Sequence, residues 1–264
     1  MLNYLLPLIC RHRLYVEPFC GGAAVFWAKE PSYREVLNDI NQEIINFYRV
    51  VKKNFEELHL EIDCTLSSRA QYDEAREIYN NPEEFSDVKR AWAFWVQTNM
   101  SFSNILCGSW AFAKIKQGGG DASNIYWKKL HFEKWLETRL KKTQLECDDA
   151  LAVIKRYDDM QTFFYIDPPY FSSDQGHFQG YTLGDFQNLL EMLAGIKAKF
   201  LLSSYPEKIL FEYRKKFGWN HQDITKPVLV NNVKGIKNEK MECITWNYDM
   251  EHKEKKLFDI EGSE

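Results

Sequence analysis

Apolar positions along the 264-residue chain follow two different rhythms. Near the start, short apolar runs alternate with helical stretches. Leu5-Leu6-Pro7-Leu8-Ile9 has helical spacing, but it is too short and too weakly flanked for a secretory signal. Arg13–Glu17 reads as a strand that ends at Pro18-Phe19-Cys20-Gly21-Gly22. Ala23–Lys29 contains no breaker and reads as a helix. Arg34–Asp39 reads as a second strand with a polar end. Asn41–Asn54 is a helix with Ile44, Ile45, Tyr48 and Val51 on one face. Strand, turn, helix, strand, helix is the grammar of a parallel sheet.

The rhythm turns helical after residue 55. Helices are expected around Ser68–Tyr79, Asp87–Thr98 and His131–Lys142, with a loop-rich stretch between Ser101 and Ser123 that includes Gly118-Gly119-Gly120. Strand grammar returns at Thr143–Cys147, followed by a helix over Asp149–Arg156. Thr162–Asp167 is an apolar, β-rich run with a carboxylate at its end, the pattern of a central buried strand. Thr182–Leu193 is a helix with Thr182 as N-cap, and Lys199–Ser204, Trp219–Thr225 and Glu242–Tyr248 are further strands. The fold class is therefore α/β: an open, mostly parallel, Rossmann-like sheet. Residues 1–55 and 143–250 are expected to form one discontinuous sheet-bearing domain, 56–142 an inserted, mainly helical lobe, and 251–264 a charged tail.

Composition narrows this little. A hydrophobic share of 45% and a charged share of 27% are ordinary for a globular chain and exclude disorder and rod-like folds. No apolar run approaches the ~20 residues of a membrane helix. The net charge of −4 gives no overall basic footprint for nucleic acid. Residues 110–142 differ: Lys114, Lys116, Lys128, Lys129, Lys134, Arg139, Lys141 and Lys142 face only Asp121, Glu133 and Glu137, a local excess of +5 (eight minus three). Trp110, Phe112, Tyr126, Trp127, Phe132 and Trp135 are interleaved. Phosphate contacts with a stacking ring, or a solvated helix face over a small aromatic core, both fit this pattern. The six cysteines form no CxxC pair and the six histidines share no ligand spacing, which leaves reduced thiols, a cytoplasmic setting and no metal site as the expectation.

Two constellations carry chemistry. In Glu17-Pro18-Phe19-Cys20-Gly21-Gly22, two glycines after a strand let a ligand approach the backbone, and the next helix offers free N–H groups. Asp39, 22 residues after Glu17, sits where an acid commonly takes ribose hydroxyls. The loop is not GxGxxG, so a nucleoside cofactor suits it better than a dinucleotide; an ordinary βα turn with a surface Asp fits as well. The second constellation is Asp167-Pro168-Pro169-Tyr170. Its prolines remove N–H donors and stiffen the turn, so a carboxylate and a carbonyl can both accept from one NH₂ group while Tyr170 stacks on a planar base.

On these residues the chain resembles the Dam-type, D12-class, adenine-specific DNA methyltransferases. Tyr15–Gly22 matches the cofactor loop, Asn38-Asp39-Ile40-Asn41 the ribose-binding strand end, Asp149-Ala150 the segment near the cofactor's adenine, and Asp167–Tyr170 the catalytic tetrapeptide. Leu201–Tyr205 and Glu242–Tyr248 resemble the late strands, the last of them antiparallel in the family. The resemblance implies S-adenosylmethionine held by Glu17, Pro18, Phe19, Gly21, Gly22, Asp39, Asp149 and Asp167. It implies catalysis by Asp167, Pro168, Pro169 and Tyr170 on a flipped adenine of double-stranded DNA. Lys114, Lys116, Lys128 and Lys129 are the expected phosphate contacts, and a restriction endonuclease of the same system is an expected partner. Cys20 departs from the family's usual small residue. No Lys- and Gly-containing segment lies among the 14 residues before Tyr15, so the start is expected upstream of Met1. An RNA base methyltransferase, a low-activity cofactor- or DNA-binding relative, and a cytosine-N4 enzyme are the alternatives; the last more usually has Ser in place of Asp167.

Overall fold

The computed structural model describes residues 1–102, 106–112, 122–169, 180–227 and 239–250. Its centre is a seven-stranded sheet in the order β3-β2-β1-β4-β5-β7-β6. The strands are β1 (Leu14–Glu17), β2 (Arg34–Asn38), β3 (Thr143–Glu146), β4 (Thr162–Ile166), β5 (Lys199–Ser204), β6 (Asn220–Pro227) and β7 (Glu239–Trp246). The first five are mutually parallel, and β7 runs antiparallel to both β5 and β6. The expected Rossmann-like sheet is therefore present, including its antiparallel late strand. The continuous apolar run Thr162–Ile166 is buried at every position because helices cover both faces.

One face is covered by α9 (Ala150–Tyr157), α10 (Leu183–Gly195) and α11 (Lys208–Phe217), packed through Val153, Ile154, Phe186, Leu189 and Leu210 on Val16, Phe164 and Phe200. Thr182 and Asp185 form a reciprocal capping box at the start of α10, as the sequence signals. Gly218, at φ 64°, stops α11 in the left-handed conformation. The other face carries α1 (Leu2–Leu5), α2 (Ala24–Ala28) and α3 (Gln42–Lys53). Helix α3 begins under Asn41, whose side chain accepts from the Glu43 N–H, and ends at Lys52 and Lys53, in accord with the helix dipole.

Residues 55–140 contribute α4 (Phe55–Asp63), α5 (Arg69–Asn80), α6 (Asp87–Met100), α7 (Ala122–Leu130) and α8 (Trp135–Leu140). Helices α4, α7 and α11 have no counterpart in the sequence reading, where short polar segments hid their periodicity. Among the described residues this segment shares its core with the sheet. Leu58, Ile62, Tyr72, Trp92 and Trp95 join Tyr15, Val25, Phe26, Leu37 and Tyr48 in one continuous apolar cluster.

Charged groups fasten the same seam. Arg139 on α8 bonds both oxygens of the buried Glu35 on β2, donates to the Phe26 carbonyl at 3.0 Å, and lies 3.7 Å from the centre of the Phe26 ring. Lys29 pairs with the same carboxylate. Burial pushes the Glu35 carboxyl up, but bonds from Arg139 and Lys29 outweigh it and leave the group below its ordinary range. Arg90 on α6 holds Glu43 on α3 in a two-pronged pair. Removing one partner of a buried ion pair leaves a charge stranded. Arg139→Met should therefore lower unfolding stability by about 3 kcal/mol in chemical denaturation, with the two halves still melting together because they share a core. A loss below about 0.5 kcal/mol would show that this pin is dispensable.

Candidate active site

Strand order reverses between β1 and β4: β1, β2 and β3 build outward one way, β4 and β5 the other. Ligands of open α/β sheets sit at such a reversal, beyond the carboxyl ends of the strands. The two sequence constellations meet there. Cys20–Ala23 follows β1, Asp39 follows β2, Asp148 and Asp149 follow β3, and Asp167-Pro168-Pro169 follows β4.

The loop after β1 is clamped from several sides. The Cys20 N–H donates to the Asn38 carbonyl at 2.8 Å, and the Ala23 N–H to the Cys20 carbonyl at 2.6 Å. The Gly21 N–H donates to Asp39 Oδ2 at 2.9 Å. Gly21 sits at φ 45° and Ala23 at φ 49°, so the loop turns through two left-handed residues. Glycine adopts that geometry freely; alanine does so at a cost of roughly 1–2 kcal/mol. A Cβ built on Gly21 or Gly22 would meet no protein atom within 4 Å, so the loop faces open space.

Asp39 is buried, and burial pushes its carboxyl up against the opposing pull of two backbone donors, Asn41 N and Gly21 N. Asn41 N donates to Oδ1 at 2.9 Å and Gly21 N to Oδ2, one bond to each oxygen. Each oxygen keeps a second lone pair, so the carboxylate can still accept a pair of vicinal hydroxyls. Ile40 beside it is 68% exposed, and Phe19 is half-buried. An apolar wall beside an acceptor pair suits a nucleoside.

Asn38, absent from the sequence-derived candidates, is fully buried and binds three strand ends. Its Nδ2 donates to the Pro18 carbonyl at 2.8 Å and the Asp148 carbonyl at 3.0 Å, and its Oδ1 accepts from Asp148 N at 3.0 Å. Its signal in the sequence was a polar residue closing an apolar strand. Asp149 stands at the expected edge, with its carboxylate capping α9 through Ala152 N at 2.9 Å. Asp148 instead pairs with Arg156 at 2.6 Å.

Asp167 is exposed at the mouth, where the Tyr165 hydroxyl donates to its Oδ2 at 3.3 Å. Pro168 is buried and Pro169 half-buried, so the turn is rigidly seated. Tyr170, Lys114 and Lys116 lie outside the described residues.

These features accompany a sequence match along nearly the whole chain: the family of D12 class N6 adenine-specific DNA methyltransferases covers residues 1–254. The chain belongs to this family. Among its relatives is the type II methyltransferase M.MjaIII of Methanocaldococcus jannaschii, 28% identical over 193 residues, which are 66% of this chain and 64% of that protein. The type II methyltransferase M1.LlaDCHI of Lactococcus lactis subsp. cremoris is 27% identical over 194 residues, 69% of this chain and 64% of its own. A DNA N-6-adenine-methyltransferase of Escherichia phage P1 is 29% identical over 163 residues, 59% of this chain and 20% of that protein. The chain thus spans a little under two-thirds of the first two relatives.

In this D12 chain the basic segment is largely occupied internally. Lys128 Nζ donates to the Asn99 carbonyl and Lys129 Nζ to the Asp63 carbonyl, both at 2.7 Å. Lys134 pairs with Glu56 and Glu137, and Arg139 belongs to the buried seam. Glu56 and Glu35, outside the segment, thus offset two of its cations, while the carbonyl bonds hold Lys128 and Lys129 without neutralising them. Tyr126 and Trp127 remain exposed on α7.

Beneath the loop, Glu17 Oε1 accepts from the Tyr15 hydroxyl at 2.6 Å and Phe26 N at 2.9 Å. Burial pushes this carboxyl from an ordinary 4.5 to about 8, with the bonds from Tyr15 and Phe26 opposing and the nearby charge of Asp167 adding to the rise. It is protonated at neutral pH, which keeps a second negative charge away from Asp167. A folded-state pKa above the unfolded value means that the native state binds the extra proton, so stability falls as pH rises from about 4.5 to about 8. Glu17→Gln should remove this slope. Between pH 5 and 8 the wild type should lose about 2–4 kcal/mol relative to the variant in denaturant titrations, and parallel profiles would refute a protonated Glu17.

Proposed function

We propose that the chain transfers a methyl group from S-adenosylmethionine to adenine N6 in double-stranded DNA, acting on a base flipped out of the duplex. One observation carries this reading. In a D12 chain, the Asp39-bound glycine loop and Asp167-Pro168-Pro169 follow the two neighbouring strands, β1 and β4, between which the order of the parallel strands reverses.

Asp39 would hold the ribose hydroxyls. Phe19, Ile40 and the Gly21-Gly22 backbone would hold the rest of the nucleoside, with Asp149 at the adenine end. Glu17 and Pro18 shape this pocket from below. When bound, S-adenosylmethionine supplies an electrophilic methyl on a sulfonium centre. The target adenine cannot reach the site from within the helix, so it leaves the stack. Asp167 Oδ and the Pro168 carbonyl accept from N6, which draws the nitrogen lone pair out of conjugation, and Tyr170 stacks on the ring. Pro169 keeps the turn stiff and donates no competing N–H. Positioning and electrostatics supply the rate, and no covalent enzyme intermediate is needed.

On the DNA side, Lys114 and Lys116 are the contacts we favour, with Tyr126 and Trp127 on the exposed face of α7 as stacking rings. Lys128 and Lys129 each spend one ammonium N–H on a carbonyl and keep two that can reach a phosphate. Since two relatives are type II methyltransferases, a restriction endonuclease reading the same sequence is the partner we infer.

Methylation-sensitive sequencing of DNA from cells expressing the chain tests the activity, and competition by duplex DNA against RNA separates the two substrates. Asp167→Ala should keep the fold and lower single-turnover methylation by at least about a hundredfold, as loss of an electrostatic anchor does. A rate within a few-fold of wild type would remove Asp167 from the chemistry. Asp39→Ala should weaken S-adenosylmethionine about tenfold or more, the worth of a charge-assisted contact. Equal affinities by calorimetry would place the ribose elsewhere.

A further inference from the structure

The peptide linking Gly21 to Gly22 has its carbonyl and its N–H on opposite sides, as every trans peptide does. The Tyr48 hydroxyl donates to the Gly21 carbonyl at 2.7 Å. Tyr48 comes from α3, is 3% exposed, and packs beside Trp27 and Phe47. Burial keeps its hydroxyl protonated and so available as a donor. Gripping the carbonyl from the α3 side aims the Gly22 N–H the other way, toward the open face of the loop. No backbone or side-chain partner for that N–H is found among the described residues. The peptide is flanked by two glycines, the residues least able to resist rotation of the plane on their own. Every other amide around it is already committed: Gly21 N to Asp39, Cys20 N to Asn38, and Ala23 N to Cys20.

We propose that Tyr48 is a positioning residue for cofactor binding: by holding the Gly21 carbonyl it presents the Gly22 N–H as a donor to an oxygen acceptor of the bound nucleoside cofactor. This rests on the S-adenosylmethionine reading above. It also gives α3 a second role. The helix that packs against α6 and α8 of the insert reaches the cofactor loop through a single hydroxyl. The same Tyr48 ring lines a cavity of about 740 Å³ bounded by Trp27, Phe47, Phe94, Trp127 and Phe132. Gly21 and Gly22 line the same cavity, so the bond from Tyr48 is made at the edge of the space that the loop faces.

The test compares the full chain with Tyr48→Phe, which keeps the ring and removes the hydroxyl. Calorimetry with S-adenosylmethionine should give a Kd about five- to tenfold weaker for the variant, the loss of one neutral hydrogen bond. KM for the cofactor should rise in step, while KM for DNA holds and kcat at saturating cofactor changes less than twofold. A merely structural role would instead lower the melting temperature and leave that pattern unchanged. If wild type binds S-adenosylmethionine and Tyr48→Phe binds it equally well, the positioning role is wrong and the cofactor reading stands. If wild type fails to bind it, both fall together. A second measurement does not depend on the variant folding. In ¹⁵N-glycine-labelled wild type, the Gly22 amide proton should move downfield as S-adenosylmethionine is added. An unmoved Gly22 resonance alongside measurable binding would overturn the proposal.

Discussion

The carboxamide of Asn38 is the point on which the site depends. Three parallel strands end side by side, and nothing in a parallel ladder fixes how their following loops leave the sheet. Asn38 uses both ends of its amide to settle this, taking carbonyls from the loops after β1 and β3 and returning one acceptor to Asp148. Buried without water, an amide cannot leave these bonds unmade without a penalty of a few kcal/mol. The Cys20 N–H then lands on the Asn38 main-chain carbonyl, and Asp39, one residue on, meets Gly21. The glycine loop is thus positioned by the residue next to Asp39. An Asp in place of Asn38 would keep acceptors but lose both donated bonds.

The insert is coupled to this edge through packing rather than through a linker. Its helices share an apolar cluster with the sheet, and Arg139 and Arg90 close ion pairs onto β2 and α3. Charges spent on that attachment are withdrawn from the surface. A segment that looks strongly basic as a string of letters therefore presents a more mixed face to solvent, with exposed aromatics as much as cations available to a nucleic acid.

Much of the sheet and its adjoining loops could be read directly. The all-apolar run ending in Asp167, the glycine pair after β1 and the acid after β2 each have a local cause: burial on two faces, freedom of φ, or position at a strand end. Boundaries of the expected helices agreed within a few residues because capping residues such as Asn41 and Thr182 announce them. What escaped depended on residues distant in the chain. That Glu17 Oε1 accepts from Tyr15 and Phe26 is visible only in the packed structure. Arg139 and Glu35, 104 positions apart, gave no sign of pairing. Helices α4, α7 and α11 are held by tertiary contacts that a weak local pattern does not betray. Lys128 and Lys129 could not be distinguished from free surface cations without seeing the carbonyls of Asn99 and Asp63.

The reversed direction of β7 has a practical side. Because it runs against β5, the backbone returns to the edge where the parallel strands begin, and Asn247 is fastened there by bonds with Phe200 N and the Ala198 carbonyl. The six residues of β5 set the distance between the two edges at about 20 Å. A fluorophore, surface tether or fused protein joined just past Met250 would leave from the side of the molecule away from the cleft. Such an attachment would leave the loops after β1, β2 and β4, with Asp39 and Asp167, uncovered.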